Sequence, residues 1–306
     1  MHRFPEGLQN PLAKTGPRMI RQRLESQYGH WPRRCLLQIP QSAPVRDLLM
    51  VLHGCGGTAS WMAVETALEI HAEATGLALA FPEATRADMT RPAHFMNNAP
   101  CWDDGADRPQ PKPANNADDA AWICQLSRDL VKQFGLSRPP YLAGFSNGAG
   151  MIAATIEHGA APFSGAAYVC GYPRRDPAAA VMPVPSLFIM GELDPLVPWG
   201  GGDVVLPWHP DFIAVPDIST RISRWAHAMG AKSSAEVPSS AGPWRSWRYG
   251  DIETSAGVEV RLIQGLGHHW PGGRGQWTDP RSGARRDDID AGAIILDYFG
   301  LGAGEG

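Results

Sequence analysis

The chain is poor in several things, and each shortage narrows what it can be. Its 306 residues hold five cysteines, Cys35, Cys55, Cys101, Cys124 and Cys170, with no Cys-x-x-Cys pair among them. That excludes a dense disulfide framework and a cysteine-built zinc module, and the odd count leaves at least one thiol free. Reduced, buried cysteines are the expectation, with a Cys55–Cys101 bridge as the alternative for an exported chain. No run approaches about 18 apolar residues, so no membrane-spanning helix is expected. Charge is balanced, with 27 Lys and Arg against 31 Asp and Glu. No basic stripe is present, and Arg285-Arg286-Asp287-Asp288 neutralises itself, so no nucleic-acid partner is expected. The opening Met1-His-Arg-Phe-Pro-Glu-Gly7 lacks the apolar core of a secretory leader. A cytoplasmic chain is the expectation as the sequence stands, and a secreted one if a leader has been trimmed away. Internal repeats and low-complexity tracts are absent as well.

What is there is apolar and alternating. Short apolar runs, Asp47–Leu52, Gly76–Phe81, Tyr141–Phe145, Gly165–Cys170 and Pro185–Met190, have the length of buried parallel strands, and Trp244–Tyr249 and Gly257–Ile263 also read as strands. Between them lie helix-period segments. One runs from about Ser60, as N-cap, to Thr75. Another starts at Asn116–Asp119, carries Trp122, Leu126 and Leu130 on one face, and is stopped by Gly135. Further helices fit Met151 to about His158, Ser219–Met229 and Asp288–Phe299. Such alternation predicts an α/β fold with a mostly parallel central sheet and helices on both faces. Residues 1–34 read as an N-terminal arm with at most a short helix over Arg18–Gln27. Residues 35–306 read as a single catalytic domain, with a lid-like insertion expected around 195–250. The proline-rich stretch Glu83–Asn116 has no periodicity, and a connection of that length points to function.

One stretch organises the chemistry. Gly144-Phe-Ser146-Asn-Gly148 stands between the strand pattern Tyr141–Phe145 and the helix pattern that follows. A serine on a sharp strand-to-helix turn needs neighbours without Cβ, and the turn exposes Oγ beside a helix N-terminus. The plainer reading is an ordinary tight turn in a chain with 34 glycines. A serine nucleophile needs a base, and the base an orienting acid. Asp194 follows the strand ending in Phe188-Ile-Met-Gly191 and is the candidate acid, with Glu192 a rival and a turn-capping role the alternative. His268, in Gly265-Leu-Gly267-His268-His269-Trp270-Pro271, is the candidate base, and His269 its rival. The order Ser, Asp, His is that of an α/β-hydrolase. His53-Gly-Cys-Gly-Gly57 lies where a second oxyanion donor belongs. The donors would be the main-chain N–H of Asn147 and that of Cys55 or Gly56. Trp102, Trp199 and Trp270 lie beside these elements and suggest a surface for apolar or ring-bearing substrate, or simply loop packing. Asp103, Asp104 and Asp107 are read as a solvated loop rather than a Ca²⁺ site. No metal or other cofactor is expected.

Taken together, His53-Gly-Cys55, Cys101-Trp102, Asp118-Asp119, Gly-Phe-Ser-Asn-Gly148, Gly191-x-x-Asp-x-x-Val-Pro198 and Gly-x-Gly-His-x-Trp-Pro-Gly272 resemble the poly(3-hydroxybutyrate) depolymerase family of esterases. These are related to feruloyl and acetylxylan esterases. The resemblance runs from about Leu48 to Phe299. It implies an α/β-hydrolase fold, a Ser146–Asp194–His268 triad and a Cys55 N–H in the oxyanion hole. The chain departs from that pattern around Gly230-Ala231 and Tyr249–Ile252, where many secreted relatives carry a further cysteine pair. The implied function is a serine carboxylic-ester hydrolase acting on a small-molecule or polymeric ester of hydroxyalkanoate type. Feruloyl or acetylxylan-type ester hydrolysis is the alternative, and an acyltransferase on the same triad is the alternative of another class.

Overall fold

A computed structural model describes residues 19–302 except 96, 107–112, 115, 178–180, 207–208, 210, 232–233, 238–241, 251–256 and 276–277. The first strands are β1 (Met19–Tyr28), β2 (Trp31–Pro40), β3 (Asp47–Leu52) and β4 (Leu77–Glu83), with the helices α1 (Ala59–Thr66) and α2 (Glu69–Ala72) between β3 and β4. Then follow α3 (Asp119–Phe134), β5 (Tyr141–Phe145), α4 (Asn147–His158), β6 (Gly165–Val169) and β7 (Ser186–Gly191). A hairpin of β8 (Gly202–Val205) and β9 (Phe212–Val215) precedes α5 (Ile218–Ala228), β10 (Ser234–Val237), β11 (Trp244–Tyr249), β12 (Val258–Ile263) and α6 (Ala291–Tyr298).

The ten-stranded sheet has the order β1-β2-β4-β3-β5-β6-β7-β12-β11-β10. Its centre, from β4 across to β12, is parallel, and both margins are antiparallel. The parallel strands are apolar throughout because both faces are covered. In β3, Leu48, Met50 and Leu52 point into a core closed by α3, α4 and α5. Leu49 and Val51 point the other way, into a core closed by α1, α2 and α6. The period of two along one strand therefore fills two separate cores.

Three expectations need correction. Residues 19–34 are not an arm with a helix: Met19–Tyr28 is a strand paired residue for residue with β2. Residues 1–18 of that arm lie outside the described residues. The helix expected from Ser60 to Thr75, with Ser60 as its cap, is capped two residues earlier, where the Thr58 side chain accepts from the N–H of Trp61. It also breaks at Ala67, which sits at φ 50° in the left-handed region. Finally, most of residues 195–250 does not stand apart from the domain, since β10 and β11 extend the main sheet. The portion with its own sheet is the β8–β9 hairpin.

Candidate active site

The carboxyl ends of β3, β5, β7 and β12 lie together at one end of the sheet. They lead into His53, Ser146, Asp194 and His268 respectively. Open α/β sheets present their ligand sites along this edge.

Ser146 sits at φ 55° and ψ −113°, a strained conformation for a residue with a side chain. The turn holds because its neighbours are bare. A Cβ on Gly148 would stand 2.4 Å from the carbonyl oxygen of Leu52, and one on Gly144 would stand 2.6 Å from that of Gly148. The Ser146 N–H donates to the Val169 carbonyl at 2.9 Å, which ties the turn to β6. Ser146 Oγ lies 2.9 Å from His268 Nε2, and His268 Nδ1 lies 2.7 Å from Asp194 Oδ2. Asp194 Oδ1 accepts the N–H groups of Leu196 and Val197, each at 2.8 Å. With its acceptors filled in this way, the carboxylate fixes the tautomer in which Nδ1 carries the proton and Nε2 faces the serine.

The rival candidates are placed elsewhere. His269 Nε2 meets the Gly283 carbonyl at 3.1 Å, and burial pushes its pKa down, so it is a neutral strut of the loop. Glu192 is exposed and accepts from the Gly265 N–H at 3.2 Å. For the oxyanion loop, the Gly56 N–H donates to the Pro100 carbonyl at 2.7 Å and the Gly57 N–H to Gly54 at 3.0 Å. The N–H groups of Cys55 and Asn147 have no acceptor among the described residues. Two unspent donors beside the serine hydroxyl are what an anion-stabilising pocket requires. His53 is buried and neutral, its pKa pushed down by burial. Its Nε2 accepts from the Ala84 N–H at 3.0 Å and its Nδ1 donates to the Gly54 carbonyl at 2.7 Å. That arrangement pins the loop to the end of β4.

None of the three candidate tryptophans lines a cavity that opens on Ser146. Trp102 is fully buried, stacks on Trp122, and donates its indole N–H to the His53 carbonyl at 2.9 Å. Trp270 is buried in the core beneath α6. Trp199 stacks on Trp247 with ring centroids 5.5 Å apart. Each indole lies beside a site element and packs inward. Asp104 is not a solvated loop residue either, because it is buried and pairs with Arg174 at 3.2 Å. Asp107 lies outside the described residues.

A cavity of about 650 Å³ opens over Ser146 and His268, lined by Gly54–Gly57, Trp61, Phe95, Phe145, Leu196 and Thr278–Arg281. A smaller one of about 240 Å³ meets it at the same two residues, walled by Val197 and by Val204, Ile213 and Val215 of the hairpin. Trp61 and Phe95 were not singled out by sequence reasoning, although Phe95 lies in the connection Glu83–Asn116 and the hairpin in the insertion expected around 195–250. Phe145 had a signal, since it is the residue before the serine in the glycine motif. Cys170 Sγ, Asp194 and His268 also lie close enough to share a metal ion. The Cys170 thiol donates to the His269 carbonyl at 3.3 Å, and burial drives its pKa up, while Asp194 and His268 bond to each other.

No protein-family model matches the chain. NocK of Nocardia uniformis subsp. tsuyamanensis, a protein named as an esterase, is 28% identical over 276 residues, covering 83% of this chain and 74% of that protein. An acetyl xylan esterase from Aspergillus awamori superposes with a TM-score of 0.56 at 12% identity, covering 88% of this chain and 94% of that one. An S-formylglutathione hydrolase from Agrobacterium tumefaciens does so with a TM-score of 0.50 at 12% identity, over 82% and 88%. At such identities the structural likenesses speak for the fold alone, and that fold is the α/β-hydrolase fold.

Proposed function

We propose that this chain, a carboxylic-ester hydrolase of α/β-hydrolase fold, works through an acyl-enzyme on Ser146. The observation that carries the reading is the continuous hydrogen-bonded line from Ser146 Oγ through His268 to Asp194, opening directly on a cavity. In this reading His268 Nε2 takes the hydroxyl proton as Oγ attacks the ester carbonyl. Asp194 stabilises the imidazolium so formed. The negative charge on the carbonyl oxygen is met by the N–H groups of Cys55 and Asn147. His268 then gives its proton to the departing alcohol, and a water activated by the same imidazole releases the acid. The esterase name of NocK supports the reaction class.

For the substrate, the proposal is an ester with apolar groups on both sides of the carbonyl, as in a hydroxyalkanoate oligomer or polyester. Two cavities lined mainly by apolar residues, with Asp279 and Arg281 in the wall of the larger and Arg174 and Arg221 in that of the smaller, meet at Ser146 and His268, so a chain entering one can leave by the other. This is consistent with the motif resemblance to poly(3-hydroxybutyrate) depolymerases. A second reading, a feruloyl-type ester on polysaccharide, is favoured by the aromatic side chains Trp61, Phe95 and Phe145 in the larger cavity.

Fluorophosphonate labelling followed by peptide mapping tests the nucleophile. The label is expected on Ser146 alone, and Ser146→Ala is expected to lower ester turnover by about 10³-fold or more. Labelling that survives Ser146→Ala would sink the assignment. A panel of p-nitrophenyl acetate, butyrate and octanoate, methyl ferulate and hydroxybutyrate trimer separates the two substrate readings. The first predicts the trimer to be turned over best, the second methyl ferulate.

A further inference from the structure

Two thiols meet beside the serine. Cys55 follows the His53-Gly54 turn and is half-buried, lining both cavities. Cys101 comes from the long connection between β4 and α3 and is fully buried. Their Sγ atoms lie 3.0 Å apart, although the residues are 46 positions apart in the chain. Both backbones are fastened around the pair. The Gly56 N–H donates to the Pro100 carbonyl at 2.7 Å, and the Cys101 N–H donates to the Thr85 carbonyl at 3.1 Å. On the next residue, the Trp102 N–H donates to Asn147 Oδ1 at 2.8 Å. A disulfide has sulfurs about 2.05 Å apart. Closing the bond therefore asks for an approach of about 1 Å, within the reach of side-chain torsions. The other three cysteines, Cys35, Cys124 and Cys170, are buried and free.

We propose that Cys55 and Cys101 form a thiol–disulfide exchange site, oxidised by a low-molecular-weight disulfide of the glutathione type. The accessible Cys55 loses its proton and its thiolate attacks one sulfur of the small disulfide. The small disulfide's S–S bond breaks, giving a mixed disulfide on Cys55 and one free small-molecule thiol. Cys101, deprotonated in turn, attacks Cys55 Sγ. The mixed disulfide breaks, the Cys55–Cys101 bond forms, and the second small-molecule thiol leaves. The two protons lost by the cysteines end on the two released thiols, and the two electrons reduce the small disulfide. The bridge fastens the 53–57 loop, with its unspent Cys55 N–H, to the connection that carries Trp102. Closing a loop of this length restricts the unfolded chain and slows thermal unfolding. The site stands independently of the ester chemistry.

The test is to incubate the intact protein with glutathione disulfide, alkylate under denaturing conditions and measure masses. The oxidised protein is expected to show three alkylatable thiols instead of five, a Cys55–Cys101 linked peptide, and a heat-inactivation half-life several-fold longer than the reduced form. Cys101→Ser is expected to stop at a stable glutathione adduct on Cys55, because the resolving thiol is gone. Cys55→Ser is expected to take up neither adduct nor bridge, because Cys101 is shielded. Five free thiols in the treated wild type, a bridge between any other pair, or an adduct on Cys101 in Cys55→Ser would each overturn the proposal. The wild-type thiol count stands whether or not either variant folds.

Discussion

Asn147 offers its backbone to one structure and its side chain to another. Its N–H is one of the two unspent donors at the serine, while Oδ1 accepts from the Trp102 N–H at 2.8 Å and Nδ2 donates to the Trp102 carbonyl at 3.1 Å. The buried amide thus pairs with a stretch of loop as a neighbouring strand would. Asn147→Ala leaves two buried backbone groups of Trp102 without partners, at about 1–3 kcal/mol each. A loss of about 2–6 kcal/mol in urea unfolding is the expected outcome, with no change in the fluorophosphonate-reactive residue. A loss below about 0.5 kcal/mol would mean that the loop is held by other contacts. The sequence pointed to this residue for its backbone alone. Side-chain direction is also why the sequence left the tryptophans open between substrate surface and loop packing. That Trp102 and Trp270 neighbour the site elements is visible in the chain, but which way an indole turns is decided by the core it fills. The glycines were legible because their constraint is local: Gly144 and Gly148 are bare where a backbone passes within 2.6 Å of a Cβ position.

At the scale of elements, the buried strands were readable, whereas the exposed β1, β8 and β9 were not. β3, β5, β6 and β7 are continuous apolar runs, as strands covered on both faces must be. β1, by contrast, reads Met-Ile-Arg-Gln-Arg-Leu-Glu-Ser-Gln-Tyr and is largely exposed at the sheet margin, so no alternation marks it. β8 and β9 are four residues each and carry too little pattern to see. Helix ends depend on single side chains, and α6 shows one with a pH dependence. Asp290 caps it, with Oδ1 accepting from the Ala293 N–H at 2.9 Å, and Oδ2 meets His71 Nε2 of α2 at 2.8 Å. The hydrogen bond to Asp290 raises the His71 pKa, and the hydrogen bonds from His71 and then from Ala293 lower that of Asp290. A raised histidine stabilises below its unfolded value, about 6.5, and that contribution fades as pH climbs through the folded value. A lowered aspartate stabilises above its unfolded value, about 3.9, and fades as pH falls through the folded one. Both contributions are present between about pH 4 and 6.5. The side chains are 30% and 53% exposed, so the pair is worth at most about 1 kcal/mol. In thermal melts, His71→Ala is expected to lower Tm at pH 5.5 and to leave it unchanged at pH 9. Asp290→Ala is expected to lower it at both, by about 1 kcal/mol more, because the cap is lost at every pH. An equal effect of His71→Ala at the two pH values would show that the imidazole acts by packing and not by charge.

Across the whole molecule, the parallel sheet delivers Ser146, Asp194 and His268 from three strands to one edge. Apart from Phe145 at the end of β5, most of what would select a substrate comes from the segments above that edge. Trp61 belongs to α1, Phe95 to the long connection before α3, and Val204 and Ile213 to the hairpin. The triad order could be read from motifs because it follows strand order. The cavity could not, because three connections far apart in sequence build it, and none has a periodicity. This division makes the chemistry and the selectivity separable. Trp61 and Phe95 line the larger cavity, while the hydrogen bonds that align Ser146, His268 and Asp194 run among those three residues and the Leu196 and Val197 backbone. If that cavity receives the acyl group, Trp61→Ala and Phe95→Ala remove apolar surface that a long or aromatic acyl group would touch and an acetyl group would not reach. Loss of such contacts corresponds to about 1–3 kcal/mol of transition-state binding, or roughly 10- to 200-fold in kcat/KM. The expected result is a fall of that size for p-nitrophenyl octanoate and a change below about threefold for p-nitrophenyl acetate. Ile213→Ala, on the hairpin side, is expected to leave the octanoate-to-acetate ratio unchanged and to respond to the size of the alcohol. If the Trp61 and Phe95 variants lower both esters equally, the rings support the oxyanion loop and not the substrate. If the octanoate preference follows Ile213, the two cavities exchange roles and the acyl chain lies under the hairpin.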